Sequence, residues 1–381
     1  MEKIIDPVDK ALLCAELTPD KKIQDTSHGN NELYVVDGHD SPNVLREIGR
    51  LREISFRAEG GSVGAALDLD EFDTMESPYK QLILWDPEEQ AIIGGYRYIF
   101  GSDVKLREDG QPHMTSSHLF HYSETFIRDY LPYTMELGRS FVAPEYQSSK
   151  AGAKAIFALD SLWDGIFSVM LTHSNVMYMI GKATIYPSYD STARDLIFHY
   201  LDKHFADKEE LVTPYHPFKG SGDPRMMDLI LKDEGIKDDY KNLKAAVRQL
   251  GGSIPPLVNS YMTLSPTMKV FGTAINDEMS DILDTGLMIC FDEIYDDKRG
   301  RRMENYIHDL MSRAKRRWPQ LEEGLKDQIV ARLERRRKHS REKREEKIAR
   351  RERKELQKIE KKEKKREQKE EKREKKKEEK D

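Results

Sequence analysis

The chain has 381 residues, enough for one large domain or two ordinary ones. Its net charge of −6 conceals an asymmetry: residues 331–381 carry 26 Lys and Arg against 15 Asp and Glu, leaving 37 basic and 54 acidic residues in 1–330. Cys14 and Cys290 are its only cysteines, and it has neither a signal-type apolar leader nor the roughly 20 apolar residues of a spanning helix. These features argue against a disulfide framework and a membrane-spanning segment, and predict an acidic globule with a basic interaction tail, suited to a reducing compartment.

Residues 1–40 read as a variable leader, rich in turn formers around SHGNNELYVVDGHDSPN. From Asn43, VLREIGRLREISFRAE spaces apolar groups at helical intervals. GGSVGAALDLDEFDTMESPYK follows as a Gly-rich loop that turns acidic. QLILWDP and AIIGGYRYIFG, joined by a short polar turn, predict a hairpin. Residues 101–130 read as a long loop, TMELGRSFVA as a third strand, and KAGAKAIFALDSLWDGIFSVMLTH as a helix. YMIGKATIYP is a fourth strand, and STARDLIFHYLDKHF a helix capped by Ser191 or Thr192. Short helices near PRMMDLILKDEG and YKNLKAAVRQLGG precede two more strands, TMKVFGTAIN and DTGLMICFD. This order predicts an α/β domain with a mixed sheet over 41–318, followed by a charged tail, 319–381. The tail is too sparse in apolar residues for a coiled-coil seam. As a single helix, residues 331–381 would reach about 75 Å; disorder is the alternative.

Glu136 and Arg139 sit in an otherwise apolar strand, three positions apart, so regular alternation points them to opposite faces. A β-bulge at Leu137–Gly138 would bring both to one face and leave a backbone N–H free to receive an oxyanion. An ordinary surface ion pair is the alternative, and the stretch alone does not choose between them. Arg52 and Phe56 share a helical face; Asp70 and Asp73 follow in the loop, and Arg97 in the hairpin. The chain has no G-x-S-x-G elbow and no Walker or dinucleotide loop. His113, His118 and His121 lack a zinc-type partner pattern and read as incidental.

Taken in order, LREISFRAEGG, LDLDEFD, QLILWDP, IIGGYRYIF and ELGRSFVAPEYQ resemble the acyl-carrier-protein-dependent branch of the GNAT acyltransferases. That branch contains the N-acyl amino-acid (ornithine and glycine) lipid synthases, often labelled hemolysin-like. More distantly, the R-x-x-x-F, D-x-x-D, R and E-x-x-R residues match the acyl-homoserine-lactone synthases. The resemblance spans Leu45 to Phe205 and extends weakly through IPPLVNSYMTLSPTMKVFG. It implies a GNAT-like, mostly antiparallel sheet and transfer of a (3-hydroxy)fatty acyl group from acyl carrier protein to an amino acid's α-amine. The product would be a lyso-aminolipid.

The resemblance makes Glu136 the acid that orders or deprotonates the amine, directly or through water. Arg139, Arg97, Asp70 and Asp73 would hold the cleft, and Arg52 and Phe56 would lie beside the acyl chain and its thioester. Val142, Gln147, Ser149, Lys150, Gly152 and Ala153 would receive the phosphopantetheine. In QSSKAGAKA the glycine falls two positions later than in the usual coenzyme A loop, which favours a carrier-borne arm over acyl-CoA. No resident cofactor or metal is implied. The partners are an acidic acyl carrier protein, an amino acid and, through residues 331–381, an anionic membrane surface. The location is the cytoplasm or the inner membrane face, with no nucleic acid involved. A signal synthase using S-adenosylmethionine, or a non-catalytic scaffold acting through its tail, are the alternative functions.

Overall fold

The computed structural model describes every residue except 148–151, 233, 319, 321–323 and 379–381, with backbone alone at 152–156, 355, 358–360 and 362–378. It divides into two compact units, Met1–Lys326 and Asp327–Asp381.

Residues 1–40 are not a leader. Helix α1 (Lys10–Glu16) and strands β1 (Lys22–Asp25) and β2 (Glu32–Val36) belong to the first unit, with Leu13, Leu33 and Val36 buried. ELYVV is short and set between polar turns, which hides a strand that only tertiary pairing makes stable. Helix α2 (Pro42–Glu59) begins on a proline and ends at Gly60, whose φ of +86° supplies the left-handed cap. The four-residue α3 (Glu71–Thr74) opens with a capping box between Asp70 and Asp73.

Strands β3 (Lys80–Asp86) and β4 (Ala91–Phe100) form the expected hairpin. The segment expected as a loop contains β5 (Phe120–Tyr122) and α4 (Glu124–Asp129). Strand β6 (Thr134–Val142), helix α5 (Gly152–Thr172), strand β7 (Tyr178–Ile185) and helix α6 (Ser191–Phe205) follow as anticipated. The side chain of Asp190, rather than Ser191 or Thr192, caps α6. Strand β8 (Val212–Pro214) pairs with β5. Helices α7 (Pro224–Leu231), α8 (Ile236–Gln249) and α9 (Pro256–Met262) lead to β9 (Lys269–Asn276), β10 (Ile282–Cys290) and α10 (Asp296–Arg317).

The main sheet runs β1-β2-β3-β4-β6-β7-β10-β9, and all neighbours are antiparallel except β6 and β7. That parallel pairing extends only from Thr134–Tyr178 to Leu137–Gly181. Beyond it β6 follows β4 and β7 follows β10, so the sheet parts at Gly138 and Lys182. Helix α2 covers one face, where Ile48 and Phe56 join Ile83, Trp85, Phe141 and Ile282. Helix α5 covers the other so closely that a Cβ on Gly165 would lie 2.9 Å from Leu82.

The second unit consists, over its described residues, of helix α11 (Leu325–Glu378) from Asp327 onward, so the described part of the tail is helical. Alternating acid and base at three- and four-residue spacing supports such a helix without an apolar stripe. Among the described residues, no helix is long and apolar enough to cross a membrane.

Candidate active site

Arg97 opposes Gly138 and Gly95 opposes Phe141, so two steps along β4 match three along β6. Tyr96 therefore faces both Arg139 and Ser140, and the bulge lies just beyond the expected Leu137–Gly138. Its extra residue shifts the alternation, turning Glu136, Gly138 and Arg139 all toward α2 and sending Ser140 toward α5, beside the Tyr96 phenol. Arg139 adopts a left-handed φ of +48°, which costs a non-glycine residue about 1–2 kcal/mol. Two carboxylates hold it there: Nε lies 3.1 Å from Asp68 and Nη2 3.4 Å from Asp70. Glu136 and Arg139 share a face, as expected, but each has other partners.

Arg139 is the outer member of a buried ionic lattice. Arg97 binds Asp70 with both guanidinium nitrogens at 2.7 Å and reaches Asp73 at 3.1 Å. Arg52 grips Asp73 at 3.1 and 3.2 Å and donates to Gln81 Oε1 at 2.5 Å. Burial alone pushes Asp73 up, but Arg52 and Arg97 hold it well below the usual carboxylate range. Arg97, although desolvated, is raised by Asp73 and Asp70. Arg52 and Phe56, expected beside the acyl chain and its thioester, are both buried. Arg52 is fully buried in the lattice and Phe56 lies in the α2 core, so both support the site from below.

Glu136 is 2% exposed. Its Oε2 accepts the Tyr79 hydroxyl and the Thr115 N–H at 3.3 Å; its Oε1 accepts the Ser116 hydroxyl and the Ser116 N–H at 3.1 Å. Four donors occupy the roughly four acceptor positions of a carboxylate, so an amine reaches Glu136 directly only if one of them leaves. The Ser116 hydroxyl also meets Tyr122 at 2.5 Å, forming a chain of hydroxyls that ends on the carboxylate. Burial, reinforced by Glu136, raises the Tyr79 phenol well above its ordinary value.

At the end of β6, the Val142 carbonyl is occupied by Gln147 Nε2 at 2.6 Å and Ser55 Oγ at 3.3 Å. Gly152 and Ala153 open α5, and a helix N-terminus favours an anion. Ser149 and Lys150 lie outside the described residues. Among the expected site residues, the structure thus gathers Glu136, Arg139, Arg97, Asp70 and Asp73 on one face and gives Arg52 and Phe56 a supporting place.

Several residues of the site escape sequence reasoning. Tyr79 and Ser116 stand in turn-rich segments with no periodicity. Asp68 alternates with Asp70 in LDLDEFD and could have been read with it. Lys182 and Asp284 are charges within two otherwise largely apolar strands, a legible signal, and they pair at 3.0 Å. On the α5 face of the parting, Tyr96 stands with Ser140 and Tyr261; burial pushes Tyr96 up to about 12 and Tyr261 well above its ordinary value. His113, His118 and His121 go to separate partners: Glu71, Glu278 and the Tyr215 ring.

Residues 51–156 match the acetyltransferase (GNAT) domain family. The chain is 54% identical over 308 residues to a glycine N(alpha)-acyltransferase of Bacteroides thetaiotaomicron, covering 81% of this chain and 91% of the relative. It is 52% identical over 307 residues to a glycine N(alpha)-acyltransferase of Phocaeicola vulgatus, covering 81% and 94%. The solved structure of FeeM, an N-acyl amino acid synthase from uncultured soil microbes, covers 70% of this chain and 97% of its own at 9% identity and a TM-score of 0.33.

Proposed function

Given that the chain belongs to the glycine N(alpha)-acyltransferase family and is an acyltransferase of the GNAT type, we propose that it acylates the α-amine of glycine. The donor is the thioester on the phosphopantetheine arm of acyl carrier protein, and the product is an N-acylglycine that enters a glycine-type aminolipid. The observation that carries this reading is the bulge at Arg139–Ser140, set where β6 and β7 part. Two residues there face one, and the main-chain N–H of the extra residue is the group we assign to the oxyanion.

In this reading the glycine ammonium first gives up a proton, the free amine then attacks the thioester carbonyl, the C–N bond forms and the bulge N–H stabilises the oxyanion. Since Glu136 is enclosed, that first proton passes to the Ser116 hydroxyl as that hydroxyl delivers its own proton to Glu136. Collapse breaks the C–S bond, and the departing thiolate takes the second proton of the attacking nitrogen, so amide, thiol and the proton held by Glu136 close the balance. Arg139, Arg97, Asp70 and Asp73 keep the bulge in shape. Residues 142–153 receive the arm, and the basic surplus of residues 331–381 draws the acidic carrier or an anionic membrane to the cytoplasmic enzyme.

The test supplies the full chain with isotopically labelled glycine and either acyl-carrier-protein or coenzyme A thioesters, reading N-acylglycine by mass spectrometry. The expected result is product from the carrier-borne donor. Failure to form product from either thioester overturns the proposal.

A further inference from the structure

Lys182 stands on β7 one residue past Gly181, the last residue paired with β6. Its direction follows from the register. Glu136 and Ile180 are lateral partners in the parallel pair and so look toward the same face. Two residues on, Lys182 shares that face, as do Thr184 beyond it and Asp284 across from Thr184 on β10. The α2 side of the parting therefore carries a carboxylate, Glu136, on one strand and an ammonium, Lys182, on the other. Gly138 stands beside them without a side chain: a Cβ there would meet nothing closer than Thr115 Oγ1 at 3.7 Å.

The partners of Lys182 explain why the cation is held there. Asp284 is 1% exposed. It accepts Thr184 Oγ1 at 2.6 Å on Oδ1, and Asn276 Nδ2 at 2.9 Å and Lys182 Nζ at 3.0 Å on Oδ2. Asp284 is thus well satisfied and fixes the ammonium in place. An ammonium has three protons, and Asp284 is the one acceptor given to Nζ among the described residues. The other cations of this face are committed: Arg97 and Arg52 within the buried lattice, and Arg139 to Asp68, Asp70 and the Met279 sulfur at 2.5 Å.

We propose that Lys182 binds the carboxylate of the acceptor amino acid, positioned for this by Asp284, Thr184 and Asn276. The inference rests on the N-acyl-transfer reading and deepens it. A zwitterionic amino acid then lies across the parting with its amine toward the Glu136–Ser116 side, its α-carbon over Gly138 and its carboxylate on the Lys182 ammonium. Recognition of a carboxylate by a partly desolvated cation also separates α-amino acids from simple amines, which lack the second charge.

The experiment compares glycine with glycinamide, which keeps the amine and loses the carboxylate charge, in the full-length enzyme and in Lys182→Met. The wild type is expected to prefer glycine in kcat/KM by roughly 30-fold or more, the order of a lost charge-assisted pair in a shielded site. Lys182→Met is expected to bring the two acceptors within a few-fold of each other and leave the KM for the acyl donor unchanged. A merely structural lysine would lower both acceptors equally and preserve their ratio, and that result overturns the proposal. Should Lys182→Met not fold, Lys182→Gln carries the same comparison. A wild-type ratio near one is refuting without any variant. A wild type that acylates glycine without preference sinks the assignment of Lys182 alone, whereas a wild type that acylates no amine sinks the acyl-transfer reading beneath it.

Discussion

Replacing Asp73 by asparagine removes the negative centre of the ionic lattice while keeping its shape. The carboxylate accepts from Arg52 at 3.1 and 3.2 Å, from Arg97 at 3.1 Å, from Gln81 Nε2 at 2.9 Å and from the Asp70 N–H at 3.2 Å. An asparagine leaves one oxygen for five donor contacts and turns an NH2 group toward a guanidinium. Arg52 is 0% exposed, so water cannot take over. Breaking a buried ion pair from one side costs about 3–5 kcal/mol, a large part of the roughly 5–15 kcal/mol that holds a typical domain together. Denaturant unfolding of the full chain at pH 7 measures this directly. The pH dependence adds a sign. The folded carboxyl is depressed, so its contribution is complete above the unfolded value near 4 and fades as pH falls toward the folded one. Wild type and variant should therefore converge in acid and stay apart at neutrality. A difference under about 1 kcal/mol at pH 7 would refute the lattice as a source of stability.

Glu136→Gln should cut acyl transfer by about 10²–10⁴-fold and also lower stability by about 1–3 kcal/mol, because the new amide meets donors; retained turnover excludes Glu136 from proton transfer. Gly138→Ala should fold as the wild type does, since its Cβ meets only ordinary contacts, yet raise the KM for glycine about 10-fold by occupying the acceptor's space; an unchanged KM places the acceptor elsewhere. Removing residues 331–381 should weaken binding to acyl carrier protein or anionic vesicles at low salt, with the difference fading as the Debye length shrinks from about 10 Å at 0.1 M; equal affinities at low salt discard the tail as the attracting element.

What was legible in the chain follows from where the physical signal lies. The β3–β4 hairpin, β6, α5, β7 and α6 each carry an apolar period long enough to read unaided. Strands β1 and β2 are short, polar at their margins and stable only through their pairing with each other and that of β2 with β3, so residues 1–40 pass for a leader. The bulge could be inferred from the three-residue spacing of Glu136 and Arg139, but its exact place could not. Gly138 looks like the natural site for it, yet Arg139 takes the positive φ because Asp68 and Asp70, from a distant loop, hold its guanidinium. The burial of Arg52 and Phe56 is illegible for a related reason. A helical face shows which residues share a side, not whether that side meets a substrate or a second buried layer. Tyr79 and Ser116, which enclose Glu136, come from turns where no period announces a direction.

The charges that first single out this chain therefore have unequal tasks. Arg52, Asp73 and Arg97 are buried and engaged with one another through the carboxylate and the terminal guanidinium nitrogens, and their effect travels outward. Asp73 is shared by the α2 arginine and the β4 arginine, Arg97 holds Asp70, and Asp70 with Asp68 constrains Arg139 at the bulge. Loosening the innermost member should relax the left-handed residue at the outermost, and with it the direction of the bulge N–H. Activity of lattice variants should thus fall through kcat even under conditions where the protein remains folded, because oxyanion stabilisation depends on fixed geometry. Lys182 differs in kind: it is anchored from behind and keeps protons to spare, so its loss should be felt in the choice of acceptor. Arg97→Lys and Lys182→Met, assayed together below their unfolding midpoints, separate the two tasks. If both raise the KM for glycine and neither lowers kcat, the lattice does not shape the bulge.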